Sequence, residues 1–199
     1  MSTQQKLFAL VIVLVIFSGC SIKNVDVQPD TYRLEPTYPL SVNETKDNRV
    51  LRVQRVEGDS VVMTRSILYK KDGALKPYKY GKWSELLATR LQEIFTESIE
   101  KQKIFRSTVS SRSFAVADLI LESNVENFEE IYKKEQPFVH VKIRFRLIQR
   151  KGAQILNSFL VHADYPIEKK GAKGVVFAFN KAVEKVIVDL NGWLHEQSK

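Results

Sequence analysis

The chain has 199 residues, 44% of them apolar and 27% charged, a composition that fits one folded domain with a short extra segment and not a disordered chain. Eight glycines and six prolines are too few for a collagenous or low-complexity protein, and a single cysteine excludes an internal disulfide and any multi-cysteine metal site. Lys and Arg total 31 against 23 Asp and Glu, a formal charge of +8, and three scattered histidines leave little for a histidine-built metal centre.

Leu7 to Phe17 is an unbroken apolar run of eleven residues behind Lys6. Crossing a bilayer takes about 20 such residues, so this run is too short to span but has the length of the hydrophobic region of a signal peptide. Small residues follow, and Phe17-Ser18-Gly19-Cys20 resembles a bacterial lipobox, in which the cysteine is acylated and becomes the first mature residue. The motif usually has Leu where Phe17 stands; the competing interpretation is an ordinary signal peptide or short anchor with an incidental buried Cys20. A buried acyl CH₂ contributes about 0.8 kcal/mol and stable anchoring takes more than one chain, which a triacylated, palmitate-bearing cysteine supplies. The expectation is therefore a lipoprotein signal peptide over 1–19 and lipid attachment at Cys20. Removing 1–19 takes away only Lys6 among the charged residues, leaving 30 basic against 23 acidic side chains, or +7. Ser21 stands where an Asp would favour inner-membrane retention, which points to the periplasmic face of an outer membrane.

Residues 20–47 carry Pro29, Pro36 and Pro39 and little periodicity, as expected of a tether with one short extended piece at Tyr32-Arg33-Leu34. The sequon Asn43-Glu44-Thr45 is a chance match in a bacterial exported chain. A domain over 48–199 follows. Val50–Val56 and Val61–Tyr69 are rich in β-branched residues, with Glu57-Gly58-Asp59-Ser60 as a hairpin turn between them and Asp72-Gly73 as a second turn before a strand over 75–80. From Trp83 the period changes: Trp83, Leu86, Leu87, Leu91, Ile94, Phe95 and Ile99 predict an amphipathic helix over 83–102. Strands are predicted over 104–109 and 118–125. Val139, Val141, Ile143, Phe145 and Leu147 alternate with His140, Lys142, Arg144 and Arg146, the pattern of a half-buried antiparallel strand. Lys151-Gly152 turns into a strand over 154–165, and the stripe from Val175 to Leu194 predicts a long final helix. Strands with one apolar face and helices with one apolar stripe bury each other, giving a single α+β domain: a mainly antiparallel sheet with two amphipathic helices on one face.

Catalytic signatures are missing. The chain has no G-x-S-x-G, H-E-x-x-H or G-x-G-x-x-G motif, and Gly81-Lys82 lacks the rest of a phosphate loop. An acylated Cys20 is no nucleophile, the three histidines read as surface residues, and Glu129-Glu130 as a solvated pair; no enzyme activity, cofactor or metal is expected. Between Gln136 and Ala163 there are basic residues, Lys142, Arg144 and Arg146 among them, and no acidic one until Asp164. This strand either faces an anionic partner, such as lipid headgroups or an acidic protein, or is paired across a hairpin with Glu122 and Glu126. Nucleic acid does not fit an exported, lipid-tethered domain.

These landmarks resemble the ABC-type transport auxiliary lipoprotein family, of the PqiC-like, MCE-associated kind. The resemblance runs through Cys20, Tyr32-Arg33-Leu34, Leu51-Arg52-Val53, Ile67-Leu68-Tyr69, Tyr80 to Trp83, Phe105 to Val109, Ala117 to Leu121, Val125 and Phe128, and Asn180, Ala182, Leu190 and Trp193 in the last helix. It implies a non-enzymatic outer-membrane lipoprotein that docks an MCE-domain protein of an ABC transporter moving lipids between two membranes, with phospholipid as a further candidate ligand. Self-association into a homo-oligomer through a sheet edge is compatible with it. The aromatic residues Tyr78, Tyr80 and Trp83 are a candidate contact, or else a cluster at the core's edge. Other readings are a lipopolysaccharide-assembly lipoprotein of the LptE type, or a lipoprotein activator of an envelope enzyme.

Overall fold

The computed structural model describes residues 28–38 and 47–198; Cys20, its lipobox and the remainder of the expected tether lie outside these. In chain order the elements are β1 (Asp30–Tyr32), β2 (Asp47–Val53), β3 (Glu57–Gly58), β4 (Ser66–Lys71), β5 (Ala74–Trp83), α1 (Leu87–Gln102), β6 (Phe105–Ser110), β7 (Leu119–Ile131), β8 (Phe138–Gln149), β9 (Gln154–Pro166) and α2 (Ala172–Gln197).

One mixed sheet holds all the strands. Its long part is the antiparallel meander β7–β8–β9, with Leu121 opposite Leu147 and Phe145 opposite Phe159. The other edge of β7 is shared by three short strands laid end to end and parallel to it: Leu51–Val53 beside Leu119–Leu121, Glu57–Gly58 beside Asn124–Val125, and Tyr69–Lys70 beside Glu130–Ile131. β6 lies outside β2 in parallel, β5 outside β4 in antiparallel, and β1 outside β5 in parallel. The fold class is α+β, as the alternation and stripes predict.

The hairpin expected at 57–60 does not form, so β2 and β4 are not partners. The Asp59 carbonyl accepts the amides of both Val62 and Met63 at 2.9 Å, and its carboxylate accepts that of Val61. This turn steps the chain onward along β7 instead of reversing it. Val62 is buried within the turn, so its β-branched side chain reports burial, not extension. Gly58 allows the close approach: a Cβ there would stand 2.9 Å from the Val125 carbonyl oxygen and from Met63 Cε. The second expected turn does form, with Asp72 and Gly73 both at positive φ (51° and 81°), as a two-residue hairpin of the type that matches strand twist requires.

The first helix begins at Leu87, not at Trp83, and Leu86, expected on its apolar stripe, precedes it and is exposed. Trp83 completes β5, its amide donating to the Arg65 carbonyl at 2.7 Å, and its ring enters the core beneath the helices. There it lies edge-on to Phe128 and Phe179, which stack on each other at 4.5 Å. Val139, Val141, Ile143, Phe145 and Leu147 are each at most 1% exposed, under α2 and, through Phe145 against Phe95, under α1.

Residues 30–38, expected within the tether, are part of the folded unit. After β1, Leu34 and Pro36 are buried. The Leu34 carbonyl accepts Arg90 Nε of α1 at 2.7 Å; the amides of Glu35 and Thr37 donate to Asn180 Oδ1 and Glu184 Oε1 of α2 at 2.7 and 2.9 Å. Tyr38 donates its hydroxyl to Glu97 at 2.6 Å and carries Lys101 over its ring. Burial and that carboxylate push the Tyr38 hydroxyl up to about 12. The arm therefore bridges both helices.

Candidate functional site

The helices cover one face of the sheet, and the residues alternating with the core positions form the other. On it, Glu122 stands opposite Arg146 and Asn124 opposite Arg144, while β8 presents Lys142 to His162 and His140 to Asp164 of β9. A bulge in β7 between Val125 and Asn127 turns Glu126 across this face. Its Oε1 accepts Arg144 Nε and Nη2 at 2.9 and 2.8 Å, and its Oε2 lies 2.8 Å from Lys142 Nζ. The Lys142 hydrogen bond foremost, with Arg144 behind it, holds the Glu126 carboxyl below the usual carboxylate range. One carboxylate thus pairs with two of the three cations of the basic strand and leaves a net positive charge there; the expected hairpin pairing forms at Lys142, but Glu126 takes Arg144 in place of Arg146, and among the described residues neither Glu122 nor Arg146 is in an ion pair.

Arg146 and the paired Arg144 also line, with Gln54, Arg55, Glu57, Glu122 and Asn124, an open groove of about 340 Å³ at the junction of β2, β3 and β7. It mixes charges of both signs and contains no nucleophile set against a base. Glu129, on the same face of β7 and 4% exposed, is held by the Phe128 amide at 2.7 Å and the Asn127 amide group at 2.9 Å. His140 Nδ1 lies 2.5 Å from Asp164 Oδ1. Among the described residues, no group of three His, Cys, Asp or Glu side chains is placed to hold a metal, and no helix is long and apolar enough to cross a membrane.

The aromatic trio divides. Trp83 is 3% exposed and belongs to the core; Tyr78 is half-buried, edge-on to Tyr69, and donates its hydroxyl to Glu130; Tyr80 alone presents its ring, under Lys79. Glu130 faces the helices and is 4% exposed, so burial raises its carboxyl above the ordinary range, while the same burial and the neighbouring carboxylate raise the Tyr78 hydroxyl.

The two ends of the sheet differ in a way the linear sequence conceals. Beyond the β8–β9 turn and the loop from β6 to β7, Phe114, Val116, Ile155 and Leu156 are exposed; Phe114 is fully so. Arg52 pins that loop through the carbonyls of Ser113 and Ala115. At the opposite end, the β4–β5 hairpin, the β7–β8 turn and the β9–α2 connection meet. The Tyr132 amide donates to the Lys70 carbonyl and the Ile167 amide to the Pro137 carbonyl, both at 2.9 Å. The doublets Lys70-Lys71, Lys133-Lys134 and Lys169-Lys170 are visible in the sequence; that they share an end follows only from the topology.

A family model described as ABC-type transport auxiliary lipoprotein component matches residues 32–191. Among solved structures, a Xanthomonas campestris protein of the DUF330 family superposes with a TM-score of 0.76 at 17% identity, covering 84% of this chain and 97% of that one. An uncharacterized protein superposes with a TM-score of 0.67 at 15% identity, covering 84% and 99%. At such identities these likenesses show a shared fold. No curated protein matches the chain.

Proposed function

The chain belongs to the family of ABC-type transport auxiliary lipoprotein components, and we propose that it is the outer-membrane member of a system in which an MCE-domain protein and an ABC transporter move lipid between two membranes. Its part is non-enzymatic: a folded module tethered by acylated Cys20 docks the periplasmic end of the MCE assembly and helps complete a path for phospholipid. The observation that supports this is the extent of the family match, which runs from the arm at Tyr32 to Asn191 in the last helix and so covers most of the folded unit.

The test is crosslinked capture of the native lipoprotein from membranes, with a photoreactive side chain at the fully exposed Phe114. Recovery of an MCE-domain protein is the expected result. Recovery of a large β-barrel or an envelope synthase with no MCE protein would overturn the proposal in favour of the LptE-type or activator role. Acylation is tested separately, by the mass of the Cys20 peptide and its loss in Cys20→Ser.

A further inference from the structure

The mature chain carries +7, and most of that excess sits at one end of the sheet. Over residues 70–76, 132–136 and 167–173 there are eight lysines and three carboxylates. All eight lysines are exposed, and among the described residues none is in an ion pair. The first two segments meet where Lys71 lies over the Tyr132 ring at 4.7 Å, the third joins through the Ile167 amide on the Pro137 carbonyl at 2.9 Å, and Lys133 lies over the Phe138 ring at 5.1 Å. Tyr132 and Leu75, 45% and 39% exposed, project among the lysines. A cationic surface with an exposed tyrosine and leucine fits the headgroup layer of a membrane, where phosphates meet the lysines and amphipathic rings sit at the boundary.

The direction of β1 supports the same assignment. β1 runs parallel to β5, and β5 runs away from the lysine-bearing hairpin, so the chain entering Asp30 arrives from the lysine side. Ten residue steps separate Cys20 from Asp30, a reach of about 35 Å at most when fully extended. We propose that the lysine-bearing end, formed by the β4–β5 hairpin, the β7–β8 turn and the β9–α2 connection, binds the anionic phospholipid headgroups of the membrane to which Cys20 is anchored. Held there, the module stands with Phe114 and Val116 pointing away from that membrane. The orientation rests on the acylation of Cys20; the headgroup contact stands on the structure's own charge.

The experiment uses the mature chain from residue 20 with Cys20→Ser, which has no acyl group, and vesicles either of phosphatidylethanolamine with phosphatidylglycerol or of phosphatidylcholine alone. Co-sedimentation is expected with the anionic vesicles only, falling as salt is raised. Each lysine close to anionic lipid contributes about fivefold to partitioning, so Lys70→Glu, Lys71→Glu, Lys133→Glu and Lys134→Glu together are expected to lower it by more than about a hundredfold. The four Gln replacements are expected to have a smaller effect of the same sign, and circular dichroism checks that both variants fold. Arg112→Glu with Lys151→Glu, at the other end, should leave binding unchanged. Equal binding to both vesicle types, no binding to either, or an equal loss from the far-end pair would overturn the inference. So would capture of an acidic protein that depends on the four lysines while vesicles fail to bind. Absent acylation with intact vesicle binding would overturn the anchor alone, and intact acylation without vesicle binding would overturn the headgroup contact alone.

Discussion

Leu34→Ala isolates what holds the amino-terminal arm to the body. Leu34 is 2% exposed, and removing such a side chain costs about 2–5 kcal/mol, of which about 3 is the central value. The arm's other holds are three backbone hydrogen bonds to Arg90, Asn180 and Glu184 and the Tyr38 hydroxyl on Glu97, and these close only if the arm lies down. The cost should therefore appear as local opening of 33–38 and not as loss of the sheet, because β8 and β9 keep every one of their own partners. A loss of about 3 kcal/mol is a factor of about a hundred in the opening equilibrium. Hydrogen exchange measured by NMR is expected to show the Glu35 and Thr37 amides exchanging about a hundredfold faster while those of Val141 and Ile143 are unchanged. Unchanged exchange at 35 and 37 would mean that Leu34 does not hold the arm. A rise spread equally through β8 would mean that arm and sheet open as one unit. Either result refutes the argument.

The remaining predictions concern single packing and charge features. Phe179→Ala removes one partner of the Phe128 stack and the Trp83 edge contact and is expected to cost about 3–5 kcal/mol in urea unfolding; a cost below about 1 would contradict the core described. Gly58→Ala forces a Cβ against the Val125 carbonyl and should cost about 1–3 kcal/mol by the same assay, whereas no loss would show that β3 yields easily. Burial raises Glu130 in the folded chain, so its proton stabilises fully below the ordinary value of 4.5, and that contribution is lost as pH rises through the raised folded value. Glu130→Gln should thus match the parent in acid and equal or exceed its melting temperature at neutral pH; a lower neutral value would reverse the sign argued. Arg144→Glu sets a second carboxylate beside Glu126 and is expected to shift stability by about 1 kcal/mol without loss of captured partner, and loss of the partner would return β8 to the role of a docking strand.

The elements that were legible from sequence are those whose pattern has a single cause. β8 alternates without error because one side meets the helices and the other meets water, and α2 shows one stripe because one side of it meets β8 and β9. Sequence pattern and structure part where two causes give the same pattern. Trp83 falls at helical spacing with Leu87 and Leu91, but it enters the same core from the end of β5, so the helix starts later. Val61 to Met63 look extended, yet they are a turn whose middle residue is buried. The arm was hidden for another reason: its partners, Asn180 and Glu184, lie some 145 residues away, and no local pattern in 30–38 records them.

Charge gave the same ambiguity its sharpest form. In the sequence the basic run of β8 stands out, since no carboxylate interrupts it; in space Glu126 reaches Lys142 and Arg144 from the neighbouring strand. Other cations are paired in the same way, Arg90 with Glu93, Arg49 with Asp47 and Lys185 with Asp189. A cation paired within the fold has its field largely cancelled beyond a Debye length of about 10 Å, so it attracts little from solution. The tip lysines have no such partners among the described residues, and the three carboxylates of the same segments against eight lysines leave an excess of five positive charges there. Uninterrupted charge along a strand is thus weak evidence for a binding face, because a sheet supplies neighbours at each register position. Doublets in the turns are stronger evidence, because nothing lies beyond a turn except solvent, or whatever the protein is held against.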